Sequence, residues 1–269
     1  MRFALGLVAL LSPVIGFAQE ARLPSHCLAL AQNADAVVHV GFGDPLDENT
    51  VRIRFIDHAT FLVETQGGLV AATDYTGYLG VPDLVPDVVT MNNAHDTHWT
   101  ANPDPRIAHV LRGWPADGQP ADHSLDLGEM LVRNVTTDTR GPFGEGALRD
   151  GNSIFIFEVA GLCIGHLGHL HQVPNPAQLA AIGRLDVVMV PVDGGYTMAV
   201  ADMAGVVRDL RASVVIPMHW FSGASLELFL TEMQGAFQIV RLDQPDMEFS
   251  RDNLPAEPTV IVLEPAFLD

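Results

Sequence analysis

The chain contains no lysine. All 14 basic residues are arginine, against 33 acidic ones, and the formal charge over 269 residues is −19. A surface of that sign repels nucleic acid and anionic membranes, so neither is expected as a partner. A negatively charged small substrate stays open, because a bound metal ion inverts the local field. Cysteine is almost absent. Cys27 and Cys163 lack the spacing of a cysteine zinc site. They can pair in an oxidising compartment, whereas Cys163, inside Leu162-Cys163-Ile164, sits where a buried free thiol is ordinary. Geometry decides between the two. Past the N-terminus there is no further long apolar segment, internal repeat, low-complexity tract or interdomain linker.

The N-terminus has the composition of an export signal. Arg2 precedes an apolar stretch from Phe3 to Ile15, and Gly16-Phe17-Ala18 supplies small residues before polar Gln19-Glu20. The stretch is too short to cross a bilayer as a helix. Residues 1–18 are therefore expected to be a signal peptide and residues 19–269 a single domain. The expected location is the periplasm or outside the cell, with no membrane attachment after cleavage and a small molecule as partner.

Along that domain, strand patterns dominate the front and strand–helix alternation the back. Val51-Arg52-Ile53-Arg54-Phe55-Ile56 alternates apolar and charged residues, which predicts a strand with one wet face. Further strands are expected at 60–64, 68–73, 87–91, 107–111 and 130–135, followed by a glycine-rich, charged loop over 136–152. A hairpin turns at Ala160-Gly161, between strands 153–159 and 162–166. Helices are expected at 176–182, 198–210 and 226–234, buried strands at 187–191 and 214–216, and a last strand at 260–263. Pro217 is expected to end the strand before it. Layered sheets with helices outside satisfy this pattern.

Six of the eleven histidines fall in three groups that each follow a strand-like run: His95 and His98; His166, His169 and His171; and His219. Neutral imidazole is the commonest zinc ligand, and loops at strand ends bring such groups together on a rigid scaffold. His95 and His98, three apart, share a face on a helical turn. In an extended strand His169 and His171 face one side and His166 the other, but Gly168 favours a bend. His169 is the first choice of ligand in that group, then His166, with His171 last. His219 sits between Met218 and Trp220, which read as a packed wall.

These residues resemble the metallo-β-lactamase superfamily, and within it the ascorbate-phosphate-lactonase-like hydrolases. The resemblance spans about Ile53 to Trp220. Ile56-Asp57-His58-Ala59-Thr60-Phe61-Leu62 resembles the group's opening Gly-His-Ala-Thr-Phe strand, and Ala71 to Tyr75 the strand ending in an aspartate, here Asp74. Gly183-Arg184-Leu185-Asp186-Val187, Pro191 to Thr197 and Ile216 to Trp220 resemble later segments. The resemblance implies an α/β (α+β) fold, the four-layer αββα sandwich. It also implies metal ligation by His219 and bracing of a metal-binding histidine by Asp74, with His58 in a supporting position.

The departures are specific. The family's His-x-His-x-Asp-His stands here as Asn93-Ala94-His95-Asp96-Thr97-His98, and its His-x-Gly-Asp as His166-Leu167-Gly168-His169. A bridging carboxylate has become an imidazole, which does not bridge two ions while neutral. A further family histidine is missing near Thr137-Asp138-Thr139-Arg140, where Asp138 either replaces it or pairs with Arg140. The altered set implies one zinc or similar divalent ion rather than two. Its expected ligands come from His95, His98, His166, His169 and His219, and Asn93 or Asp138 are possible additions. Three histidines with an open position activate water near neutrality; four close the site. The resemblance then implies an exported metal-dependent hydrolase of an ester, lactone or phosphoester. Asp96 or Asp138 serves as proton shuttle, and Arg140 and Tyr196 orient the substrate. The alternative is a non-hydrolytic relative that binds metal or ligand in the same fold.

Overall fold

A computed structural model describes residues 25–28, 43–80, 83–141 and 146–266; the signal segment at 1–18 lies outside them. Among the described residues the strands are β1 (Val51–Asp57), β2 (Thr60–Thr65), β3 (Val70–Ala72), β4 (Val88–Met91), β5 (His109–Arg112), β6 (Ser124–Asp126), β7 (Met130–Arg140), β8 (Ala147–Val159), β9 (Leu162–His166), β10 (Val187–Pro191), β11 (Val214–Met218), β12 (Gln238–Arg241), β13 (Asp246–Phe249) and β14 (Thr259–Val262). The helices are α1 (Pro176–Ile182), α2 (Val200–Leu210) and α3 (Gly223–Met233). They form two sheets, of order β13-β1-β2-β3-β4-β5 and β12-β14-β11-β10-β9-β8-β7-β6.

Side-chain alternation explains the layering. Phe55, Phe61 and Val63 from the first sheet meet Phe155, Phe157, Met189 and Ile216 from the second, which makes the core between the sheets. The opposite face of the second sheet (Ile154, Ile156, Val188, Val190) packs on Ile182 of α1, Met203 and Val207 of α2, and Phe229 of α3. The outer face of the first sheet is covered by loop residues, including Tyr75, Leu79 and Ile107, with Trp99 and Trp114 behind them. The expected α+β sandwich is present, and among the described residues loops rather than a helix make its layer over the six-stranded sheet.

Three expectations are corrected. The charged face of β1 is not wet: Arg52 is fully buried. Its register places Glu248 on one neighbouring strand and Glu64 on the other directly opposite, and its guanidinium donates to both carboxylates and to the Asp44 carbonyl. Cross-strand acids thus replace water. Residues 136–140 and 147–152, expected in a loop, instead continue strands β7 and β8, which pair with an irregularity between Thr137 and Thr139. Thr136, Thr137 and Thr139 favour extended backbone, and β8 begins on an exposed stretch, Ala147 to Arg149. Pro217 does not end β11; it pairs with Val190. The ladder from β11 to β14 covers only Val214 and Val215, so the missing amide of Pro217 breaks no bond on that side.

The cysteines form a disulfide, Cys27–Cys163, with Cα atoms 5.7 Å apart. The free-thiol alternative is thereby corrected: the short turn His26–Leu28 lies against β9, held by His26 N donating to Glu158 Oε2.

Parallel strands β9, β10 and β11 are adjacent and all enter loops at the same edge. On the facing sheet, β3 and β4 are parallel and run into the segments that carry Asp74 and His98. Carboxyl ends of parallel strands from both sheets therefore converge at one edge of the sandwich, the usual place for a site on such a scaffold.

Candidate metal centre

Asp74 follows β3 with a left-handed backbone, φ 41°. Its Oδ1 accepts the Asn92 amide at 2.8 Å and its Oδ2 lies 2.6 Å from His98 Nδ1. Both residues are fully buried. Burial pushes the Asp74 carboxyl up to about 7, against the opposing pull of His166 and of the Asn92 amide. With the His98 proton held on Nδ1, its Nε2 lone pair faces inward. It lies 2.8 Å from His169 Nδ1 and 3.1 Å from His219 Nε2.

His219 follows β11, again left-handed at φ 59°. Its Nδ1 lies 3.0 Å from Asp193 Oδ2, which favours the proton there and leaves Nε2 as a lone pair. Asp193 also accepts the amides of Gly195, Tyr196 and Thr197 and the Thr197 hydroxyl. Burial alone raises its carboxyl, but the His219, Thr197 and backbone donors outweigh this and hold it below the ordinary range. His169 is positioned by its amide, which donates to Asn152 Oδ1 at 2.9 Å, and Asn152 is tied to Thr137 Oγ1. Gly168 makes the turn possible: its φ is +59°, and a Cβ there would stand 2.3 Å from Asn92 Nδ2.

Hydrogen bonding satisfies only part of this arrangement. His98 Nε2 can accept one proton from His169, but His219 Nε2 then meets it lone pair to lone pair. Protonation is no remedy. Burial, followed by the neighbouring histidines, holds His98 and His169 below the ordinary imidazole range. A divalent cation between His98 Nε2 and His219 Nε2 satisfies both lone pairs, with His169 Nδ1 beside it. Two imidazole ligands of one zinc ion lie ~3.3 Å apart at tetrahedral angles and Zn–N lengths of ~2.05 Å, close to the separations here. Aspartates behind Nδ1 of His98 and His219 complete the carboxylate–histidine pattern that orients metal ligands. The donor set fits a metal ion.

The remaining predicted residues are distributed around this centre. His58, read as supporting, lies inside the cluster: its ring is 3.9 Å from that of His219, and ligand atoms of His58, His98 and His219 fall within 4.8 Å of one another. His95 is exposed at the edge, stacked at 5.3 Å on His169, with Nδ1 3.2 Å from Thr97 Oγ1. Residues 93–98 form turns rather than the expected helical turn, and only His98 is turned inward. His171 stands beside His169, ring centroids 4.7 Å apart, and its Nδ1 accepts the Arg140 amide.

His166 is corrected as a ligand. Nε2 donates to the Ala59 carbonyl at 2.8 Å, and Nδ1 accepts from Asn92 Nδ2 and Gly168 N. Both ring nitrogens are committed to joining the two sheets. We therefore predict that His166→Ala loses about 1–3 kcal/mol of stability through unsatisfied buried partners while keeping wild-type metal stoichiometry. Paired thermal melts and metal analysis check this, and loss of the metal with unchanged stability would refute it.

Asp138 is corrected too: its carboxylate accepts the Asp150 amide, and alternation along β7 puts it on the face opposite Thr137 and Thr139. It does not pair with Arg140, whose Nη2 donates to the carbonyls of Gly195, Tyr196 and Thr197 and so braces the loop that carries Asp193. Tyr196 is 67% exposed and edge-on to Phe221. Asn93 donates to the Gly151 carbonyl. Asn93, His95, Thr139, Arg140, His169, His171 and Tyr196 are among the residues that line an open cleft of about 510 Å³. Asp96 is not among them; it lines a second cleft, of about 260 Å³, with Asp57, His58 and Tyr78.

Asp193 and Asn152 were not picked out from sequence. A signal existed for the first: an acid directly after a buried strand and before Gly-Gly is the pattern of an Asx turn. Nothing local marked Asn152.

Residues 52–219 match the family described as the β-lactamase superfamily domain. A UPF0173 protein of Pyrococcus furiosus is 24% identical over 210 residues, covering 68% of this chain and 91% of its own length. A UPF0173 metal-dependent hydrolase of Methanoregula boonei is 24% identical over 167 residues, 57% of this chain and 70% of that one. Among solved structures, a metallo-β-lactamase superfamily protein from Thermotoga maritima aligns with a TM-score of 0.57 and 27% identity over 80% of this chain and 98% of that one. The metallo hydrolase Igni18 from Ignicoccus hospitalis shares the fold, with a TM-score of 0.53, 18% identity and coverage of 75% and 99%. By its matched domain, its two-sheet sandwich and its histidine centre, the chain belongs to the β-lactamase superfamily, among the metal-dependent hydrolases of the metallo-β-lactamase fold.

Proposed function

We propose that the protein is an exported hydrolase with a single divalent ion, zinc being the first choice, that cleaves an ester, lactone or phosphoester. The observation that carries this reading is the approach of His169 Nδ1 and His219 Nε2 to within 2.8 and 3.1 Å of His98 Nε2, with His169 also lining the open cleft. A divalent ion in such a place polarises the scissile group and activates water near neutral pH.

The single ion is supported by the carboxylates. Asp74 and Asp193 both stand behind the imidazoles, and the bridging position of the family is His169. Two negative charges balance one dication; a second ion would stand uncompensated in a buried site. The chain's own residues supply the rest. Asp74 and Asp193 hold protons on Nδ1 of His98 and His219. Tyr196 and Asn93 line the wall against which a substrate is oriented, and the Arg140 charge beside them favours a carbonyl-bearing or anionic one. His95, exposed and stacked on His169, is placed to carry a proton to solvent through Nε2. Asp96 opens to the other cleft and is the weaker choice. The Cys27–Cys163 disulfide supports an oxidising destination, in keeping with a leader at 1–18. No helix among the described residues is long and apolar enough to cross a membrane.

The test is to expose purified protein to zinc and measure metal content and turnover on a panel of chromogenic esters, lactones and phosphodiesters. We expect one equivalent of metal and turnover that a chelator removes and zinc restores. Protein that stays metal-free overturns the reading; bound metal without turnover favours a non-hydrolytic metal-binding role.

A further inference from the structure

We propose that His58 is itself a ligand of that ion, completing a set of three imidazoles with His98 and His219, with carboxylates only behind them and the cleft side, where His169 stands, left open. The inference rests on the metal reading above and goes beyond it.

Four observations carry it. His58 Nε2 is buried and makes no hydrogen bond, although buried imidazole nitrogens ordinarily have a partner. A ring nitrogen of His58 lies within 4.8 Å of ligand atoms of both His98 and His219. The supporting role is already filled, because the outward nitrogens of His98 and His219 are met by Asp74 and Asp193. Finally, the backbone is committed to placing this ring. His58 is left-handed at φ 50°, a conformation that is costly for a non-glycine residue and persists where its surroundings impose it. Its amide donates to Asp57 Oδ1 at 2.8 Å and its carbonyl accepts the His219 amide at 2.7 Å, so the two histidine loops are joined main chain to main chain.

The chemical consequence is selectivity. An all-imidazole set suits Cu2+, Ni2+, Co2+ and Zn2+, whereas Mn2+ and Mg2+ need oxygen ligands. His58 also opens to the cleft that holds Asp57 and Asp96, so the ion is reached from a side the principal cleft does not share.

The experiment titrates wild type and His58→Asn with Cu2+ and counts coordinated nitrogens from the electron paramagnetic resonance superhyperfine pattern. Zn2+ and Mn2+ affinities are measured by competition on the same proteins. Asparagine is chosen because it tolerates the left-handed backbone, and melts of the metal-free proteins check folding. We expect at least three nitrogens in wild type and one fewer in His58→Asn, with Zn2+ binding weakened more than the ~100-fold limit of a merely supporting residue. Wild type should also prefer Zn2+ over Mn2+ on the donor-set argument. An unchanged nitrogen count in the variant, fewer than three nitrogens in wild type, or equal affinity for Mn2+ and Zn2+ overturns the inference. Should the variant fail to fold, the wild-type count and metal preference still decide. Wild type that binds neither Cu2+ nor Zn2+ defeats the metal reading itself, a separate result.

Discussion

Replacing His98 with alanine is expected to empty the metal centre and lower kcat/KM by ~10³-fold or more, since metal catalysis supplies several kcal/mol and each 1.36 kcal/mol is tenfold. His98 is the hub of the cluster. Its Nε2 is the atom that both His169 and His219 approach, and its Nδ1 occupies Asp74. Removal deletes a donor, opens a cavity in a fully buried position, and leaves Asp74 carrying unmatched charge. Metal analysis of the purified variant, alongside turnover of whichever substrate the wild type accepts, reads the effect. A variant that retains one equivalent of zinc would show that the ion sits elsewhere.

Loss of the disulfide is expected to cost about 4 kcal/mol. Cys27 and Cys163 are 136 residues apart, and in the chain-entropy account a loop of that length gives up to ~5 kcal/mol, against measured values of ~2–4 for typical bridges. For a domain of this size that corresponds to roughly 10 °C in Tm. The bond also fixes local packing: Cys27 O accepts the Arg184 amide, and a Cβ at Gly183 would stand 2.7 Å from that carbonyl oxygen. Melts of wild type with and without reductant, beside a Cys27→Ser/Cys163→Ser variant, measure it. Coincident transitions would show that the bridge is thermodynamically idle.

Most of the scaffold could be read from periodicity because both faces of its strands are buried. Val187–Pro191 and Val214–Met218 are unbroken apolar runs, as parallel strands between two layers must be. The β7–β8 extension was hidden because its stability lies in the ladder rather than in burial, and threonine, glycine and charge resemble a loop. The short strands β6, β12 and β13 escaped for a related reason: a tripeptide such as Ser124–Asp126 shows no period. In the site, the histidines were visible as residue types but their directions were not. His166 and His169 are three positions apart, yet Gly168 turns one into the core and the other to the cluster. His58 became a member only when the left-handed turn after β1 folded it onto His219. Asp193 acts across the gap between neighbouring strand ends, a distance that sequence spacing does not encode.

The origin of the clustered rings has a thermodynamic consequence. His58 and His98 hang from one sheet, His169 and His219 from the other, so an ion held among them spans the sandwich as a clasp. Ion release and parting of the sheets at that edge then become linked equilibria. At a free ion concentration ~1,000 times Kd, the folded state gains ~4 kcal/mol. Resistance to unfolding would then rise and fall with ambient metal, and the fold would register scarcity of its own cofactor.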